Sequence, residues 1–131
     1  MSGQQDYHTV TPYLVVDDVA RLIAFITEAF GGRERIRLPR ADGSVMHAEV
    51  IIGDSIVMMG EPTGAIGVMR ASIYLRVADA DASYRRALAA GATSVGEPKD
   101  QLHAGERYGG VKDPCGNIWW PAAKMTAGKP L

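Results

Sequence analysis

The sequence has 131 residues, 47% of them hydrophobic and 22% charged, which suits one ordinary globular domain and excludes disordered, collagen-like and disulfide-framework chains. Lys and Arg total 14 against 15 Asp and Glu, a net charge of −1, so no strong positive field exists to attract nucleic acid or anionic lipid. Cys115 is the only cysteine, which rules out an intramolecular disulfide or a cysteine zinc cluster and fits a reducing cytoplasm. No signal peptide or membrane span is legible, so the expected location is cytoplasmic.

In chain order, the first element is a short strand around Tyr13-Leu14-x-Val16-x-Asp18. Val19, Leu22, Ile23, Ile26, Ala29 and Phe30 follow at three- and four-residue spacing, the stripe of an amphipathic helix with Asp17 or Asp18 as N-cap and Gly31-Gly32 as its stop. Strands are predicted over 36–39, 45–52 and 55–59, with turns at Ala41-Asp42-Gly43 and Gly53-Asp54. Residues 61–70, which hold Pro62 and two glycines, read as a flexible connector.

The opening motif then returns as Tyr74-Leu75-x-Val77-x-Asp79, 61 residues later. Asp79 or Asp81 caps a second helix whose stripe is Ala80, Tyr84, Ala87 and Leu88, ending at Gly91. Strands are predicted over 93–97, 107–112 and 118–123, separated by a loop at 98–105 and the turn Asp113-Pro114-Cys115-Gly116-Asn117. The frayed tail is expected over 126–131. The fold class is therefore α+β within one domain, built from two βαβββ modules at about 8–60 and 71–123. Each helix can cover one face of its mixed, curved sheet, leaving a concave face for a ligand pocket, within one chain or across a homodimer.

Thr11-Pro12-Tyr13-Leu14-Val15-Val16-Asp17-Asp18, the helix end Ala29-Phe30-Gly31-Gly32, the repeat, and Asp113-Pro114-Cys115-Gly116-Asn117-Ile118-Trp119 together resemble the vicinal oxygen chelate superfamily, the glyoxalase and bleomycin-resistance family. The resemblance spans residues 9–123. It implies paired βαβββ modules, commonly dimeric, and chemistry ranging from metal-dependent lyases, isomerases and dioxygenases to metal-free drug-sequestering proteins. In the family's metalloenzymes, His, Gln or Glu ligands stand on the first and last strands of the modules. The matching positions here are Thr11, Ser72, the segment Ile56-Val57-Met58-Met59, and Trp120. None is a suitable ligand, so no metal cofactor is expected. A divalent ion would need displaced ligands, with Glu61 and His8 nearby, or His47 and Glu49 joined by His8 or His103.

The strand over 45–52 alternates, with Met46, Ala48, Val50 and Ile52 on the face suited to helix packing and His47 and Glu49 on the concave side. A Glu beside a His stabilises imidazolium and creates either a ligand-anchoring pair or a base with its orienting group. Trp119 and Trp120 must face opposite ways, and the ligand position assigns Trp120 to the pocket, where an indole wall suits a flat ligand. Met58, Arg107 and Tyr108 complete the candidate ligand contacts, with Arg35 and Arg37 as further polar groups. Cys115, in a tight turn, reads as structural. The expected function is metal-independent binding of a small apolar or aromatic molecule by a homodimer. The alternatives are a lyase or isomerase using His47 and Glu49, a metalloenzyme with displaced ligands, or an interaction protein without a pocket.

Overall fold

A computed structural model describes residues 6–125; the tail expected over 126–131 lies outside the described residues. The chain divides into two compact units, Met1–Arg70 and Ala71–Leu131, and each contains one helix and one four-stranded mixed sheet. The α+β reading with two βαβββ modules holds.

In the first unit β1 (Tyr13–Val15) leads into α1 (Val19–Phe30), followed by β2 (Arg33–Pro39), β3 (Val45–Ile52) and β4 (Ser55–Gly60), with sheet order β1-β4-β3-β2. Only β1 and β4 run parallel. Asp18 is the N-cap, its carboxylate accepting the Arg21 N–H at 3.0 Å. At the other end Gly31 takes a left-handed φ of 69°, and the Gly32 N–H reaches back to the Ile26 carbonyl at 3.2 Å, the bond pattern of a glycine-terminated helix. Gly32 also sets the approach of helix to sheet, since a Cβ there would lie 2.5 Å from Ile26 Cγ2 and 2.9 Å from Val50 Cγ1.

The buried face of α1 is Val19, Leu22, Ile23, Phe25, Ile26 and Ala29. It is wider than the predicted stripe, because Phe25 lies three residues from Leu22 and four from Ala29 and so continues the same face; Phe30, at the last turn, is only half-buried. Ala48, Val50 and Ile52 are buried as expected, whereas Met46 is 47% exposed. Strand β2 starts at Arg33, ahead of the predicted start at 36; its charged first residues belong to an edge strand, where charge is tolerated, with a register shift between Glu34 and Ile36. The connector is not free. Met69 exchanges backbone hydrogen bonds with Val15 at 2.8 and 3.0 Å, covering the outer edge of β1.

The second unit contains β5 (Ser72–Arg76), α2 (Ala80–Ala89), β6 (Thr93–Gln101), β7 (Glu106–Lys112) and β8 (Ile118–Lys124), ordered β5-β8-β7-β6. Asp79 caps α2 by accepting the Ala82 N–H at 3.0 Å, matching Asp18 in the first copy. α2 packs on β7, β6 and β8 through Ala80, Ser83, Tyr84 and Ala87, while the predicted contact residue Leu88 is 36% exposed. Strand β6 runs through Pro98 into the segment predicted as loop. It is an edge strand, and Pro98 sits in the register shift between Gly96 and Lys99, where its missing N–H costs no ladder bond.

The Asp113 turn ties this unit together. One carboxylate oxygen accepts the N–H groups of Cys115 and Asn117 at 2.8 and 3.0 Å; the other accepts Asn117 Nδ2 at 3.0 Å and Trp119 Nε1 at 2.7 Å. Asn117 Oδ1 in turn accepts the Ala71 N–H at 2.9 Å, at the entry to β5. Asp113, Asn117 and Trp119 are all buried. The motif is thus a fold-forming network, and Cys115 contributes a backbone N–H to it.

Candidate functional site

On the face of the first sheet away from α1, register aligns Tyr13 with Met58 and Met58 with Glu49, and places Leu38 beside His47. Glu49 is 4% exposed and is the hub. The Tyr7 hydroxyl lies 2.8 Å from both carboxylate oxygens, His47 Nε2 lies 2.8 Å from Oε2, and Arg35 Nε lies 3.7 Å from Oε1. The Arg35 guanidinium also sits over the Tyr7 ring, 5.1 Å from its centre. Burial pushes the Glu49 carboxyl up, but hydrogen bonds from His47 and Tyr7 and the charges of His47 and Arg35 outweigh it and hold it below the usual carboxylate value. The hydrogen bond to Glu49 is also what raises the Tyr7 phenol.

An ionised Glu49 offers only acceptors, so His47 donates through Nε2 and its neutral form turns the Nδ1 lone pair toward the Tyr13 hydroxyl, 3.3 Å away. A carboxylate, an imidazole and a half-exposed phenol therefore stand in line. Because folding lowers the Glu49 pKa, this carboxylate stabilises the fold above its unfolded value and loses that contribution as pH falls through the folded value. In urea unfolding from pH 7 down to about 3, Glu49→Gln is expected to have a shallower loss of stability than wild type, with the two curves converging at the acid end.

On the corresponding face of the second sheet, Tyr74 pairs with Trp120 and Tyr108 with Ala122. The rings meet edge to face, Tyr74 to Tyr108 at 5.6 Å and Tyr108 to Trp120 at 5.9 Å. The benzo half of the Trp120 indole lies over Gly110, where a Cβ would be 2.5 Å from Cζ3, and its Nε1–H donates to Ser72 Oγ at 2.8 Å. Trp119 is fully buried, so the expected division of the two indoles is the one observed. Burial and a 2.5 Å hydrogen bond to Glu106 push the Tyr74 phenol up to about 12.

His47, Glu49 and Met58 thus share one face of the first sheet, and Tyr108 and Trp120 share one face of the second. Arg107 does not join them: it binds Asp81 on α2 through two nitrogens at 2.7 and 3.0 Å and reaches Asp100 at 3.4 Å. Arg37 pairs with its neighbour Glu34. Tyr7, Tyr13 and Tyr74 are not among the site residues expected from sequence, and Ser72 is marked there only as a position that ligates metal in related enzymes; the repeat does mark Tyr13 and Tyr74, but the reach of Tyr7 to Glu49 has no local signature.

The positions that hold metal in related enzymes carry other chemistry here. The Thr11 hydroxyl donates to the His8 carbonyl at 3.3 Å, Ser72 accepts from Trp120, and Met58 offers a thioether. Glu61 is committed to backbone, one oxygen accepting the Val19 N–H at 2.9 Å and the other the Val45 N–H at 2.8 Å. Among the described residues no group of three or more His, Cys, Asp or Glu side chains could hold a metal ion. Nor is any described helix long and apolar enough to cross a membrane.

The model of the glyoxalase/bleomycin resistance protein/dioxygenase superfamily matches residues 7–120. Uncharacterized protein Rv0887c of Mycobacterium tuberculosis is 41% identical over 122 residues, covering 84% of this chain and 71% of its own. Among solved structures, TioX from Micromonospora sp. ML1 is 27% identical with a TM-score of 0.71, covering 93% of this chain and 100% of its own. The fosfomycin resistance protein FosX from Listeria monocytogenes shares the fold at 15% identity and a TM-score of 0.68, over 92% of this chain and 95% of its own. With the repeated βαβββ modules and a family match over nearly its whole length, the chain belongs to the glyoxalase/bleomycin resistance protein/dioxygenase superfamily.

Proposed function

We propose that the chain is a metal-independent binding protein that takes a small, flat, largely apolar or aromatic molecule on the open face of its second sheet. One observation carries this reading: two of the positions that ligate metal in related enzymes, Ser72 and Trp120, hydrogen-bond to each other, which fixes an indole where a carboxylate would otherwise stand. An indole held by its N–H, with Gly110 beneath it and Tyr108 at its edge, has little conformational freedom to lose when a ligand stacks on it. Arg107 is left out because Asp81 and Asp100 hold it.

Titration calorimetry with the neutral probe 2-naphthamide tests this. Affinity is expected to be unchanged by prior chelation and to fall about tenfold in Trp120→Ala, from the loss of aromatic stacking and apolar area. Binding that needs an added divalent ion, or that ignores the substitution, rejects the reading. Homodimerisation in the cytoplasm belongs to the same proposal: the edge strand β2 leaves Ile36 and Leu38 each 38% exposed, and covering them is what a second copy would do; light scattering measures the particle mass.

The second reading is a lyase or isomerase, favoured by the line from Glu49 through His47 to Tyr13. Glu49, saturated with donors, is a poor base and orients His47, whose Nδ1 takes the proton. For any ligand that is turned over, His47→Gln is expected to abolish turnover while preserving affinity; surviving turnover excludes this reading.

A further inference from the structure

Register places more than aromatic rings on the open face of the second sheet. Tyr74 pairs with Trp120 and Arg76 with Ala122; Tyr108 lies between Ala122 and Lys99; Glu106 pairs with Lys124, and Lys112 with Ile118. Side chains of paired residues share a face and alternate along each strand. The face that carries Tyr74, Tyr108 and Trp120 therefore also carries Arg76, Lys99, Lys112 and Lys124, with Glu106 as the carboxylate among these positions. In a chain whose net charge is −1, this local excess of cations is a feature of placement, not of composition.

The one carboxylate is already engaged. Glu106 accepts the Tyr74 hydroxyl at 2.5 Å and faces Arg76 Nε at 3.2 Å, and its side chain is only 13% exposed. Arg76 differs: its side chain is 75% exposed, its pair with Glu106 uses Nε, and its guanidinium is steadied over the Tyr74 ring at 5.5 Å. A guanidinium presents donors beyond Nε in a planar fork suited to a carboxylate. Tyr74 thus connects the cation to the aromatic group, touching Arg76 on one side and the edge of Tyr108 on the other.

We propose that the ligand of this face is an aromatic carboxylate, with its ring system against Trp120 and Tyr108 and its carboxylate on Arg76. This rests on the reading of the Trp120 face as a ligand surface and adds the charge of the ligand to it. A cationic ligand would meet four like charges, and its one opposite charge, Glu106, is occupied.

The test compares two probes of the same shape on the intact chain by calorimetry: 2-naphthoate and its neutral counterpart 2-naphthamide. Wild type is expected to prefer the naphthoate by about fivefold at low salt, the scale of an exposed ion pair reinforced by neighbouring cations. The preference should shrink as sodium chloride is raised to about 0.5 M. Arg76→Gln, a substitution at an exposed side chain, should bring the two probes close to parity by weakening 2-naphthoate more than 2-naphthamide. Trp120→Ala should weaken both probes by the same factor and keep the preference. Equal affinity of both probes for wild type, or a preference that survives Arg76→Gln, overturns the carboxylate assignment while leaving the aromatic surface standing. Failure of both probes to bind in a Trp120-dependent way overturns that surface and this assignment together.

Discussion

Asp113→Ala is expected to be among the most damaging single substitutions in the second unit, lowering unfolding free energy by about 3–5 kcal/mol in urea titration. Its carboxylate accepts four hydrogen bonds, from the backbones of Cys115 and Asn117 and from the side chains of Asn117 and Trp119. Asn117 and Trp119 are fully buried, so truncation strands their donors where water does not replace the acceptor. Asp113→Asn is the sharper experiment. Asn keeps a carbonyl oxygen for the two backbone donors, but its amide nitrogen then confronts Asn117 Nδ2 and Trp119 Nε1, donor against donor. It should be nearly as destabilising as Ala; a cost below about 1 kcal/mol, the scale of one ordinary hydrogen bond, would show that the network is not what closes this turn.

Gly110→Ala is expected to remove most of the binding that Trp120 provides without touching Trp120 itself. A methyl group at this position would lie 2.5 Å from Trp120 Cζ3 and 2.7 Å from Val95 Cγ2, closer than carbon atoms approach, so the indole must lift and the Ser72 hydrogen bond must break or stretch. Overpacking of this kind costs about 1–3 kcal/mol when the surroundings resist. Here the neighbours are the outer parts of two partly exposed side chains, which puts the stability cost at the low end. The expected signature is a change in tryptophan emission with about a tenfold loss of 2-naphthamide affinity, matching Trp120→Ala. Unchanged emission and affinity would mean that the orientation of the indole over Gly110 does not matter to binding.

Much of the architecture was legible because it follows from local chemistry. Asp18 and Asp79 cap helices because a short carboxylate side chain reaches back to a free N–H, and Gly31 ends α1 because it takes a positive φ without strain. Alternation along β3 put His47 and Glu49 on one face before any partner was known. The errors share a cause. Edge strands β2 and β6 tolerate charge, proline and register shifts that would be costly in a central strand, so β2 starts ahead of its predicted start and β6 runs on into the segment predicted as a loop. Arg107 illustrates the other limit. It lies beside Tyr108 in sequence, and a one-residue step turns a side chain to the opposite face of the sheet, where Asp81 of α2 receives it.

By itself, the sequence determined the repeat, the approximate extent of the helices and the shared face of His47 and Glu49, since these depend on residue spacing and backbone preference, while the family resemblance singled out Trp120 over Trp119. The tertiary structure alone decided what those side chains meet. Tyr7 reaches Glu49 from 42 positions away, Glu61 turns from a spare ligand into the acceptor for the first N–H groups of α1 and β3, and Ser72 holds the Trp120 indole across 48 positions. The physical reason is that hydrogen bonds and ion pairs between distant segments depend on strand register and chain packing, which arise only when the whole sheet has formed.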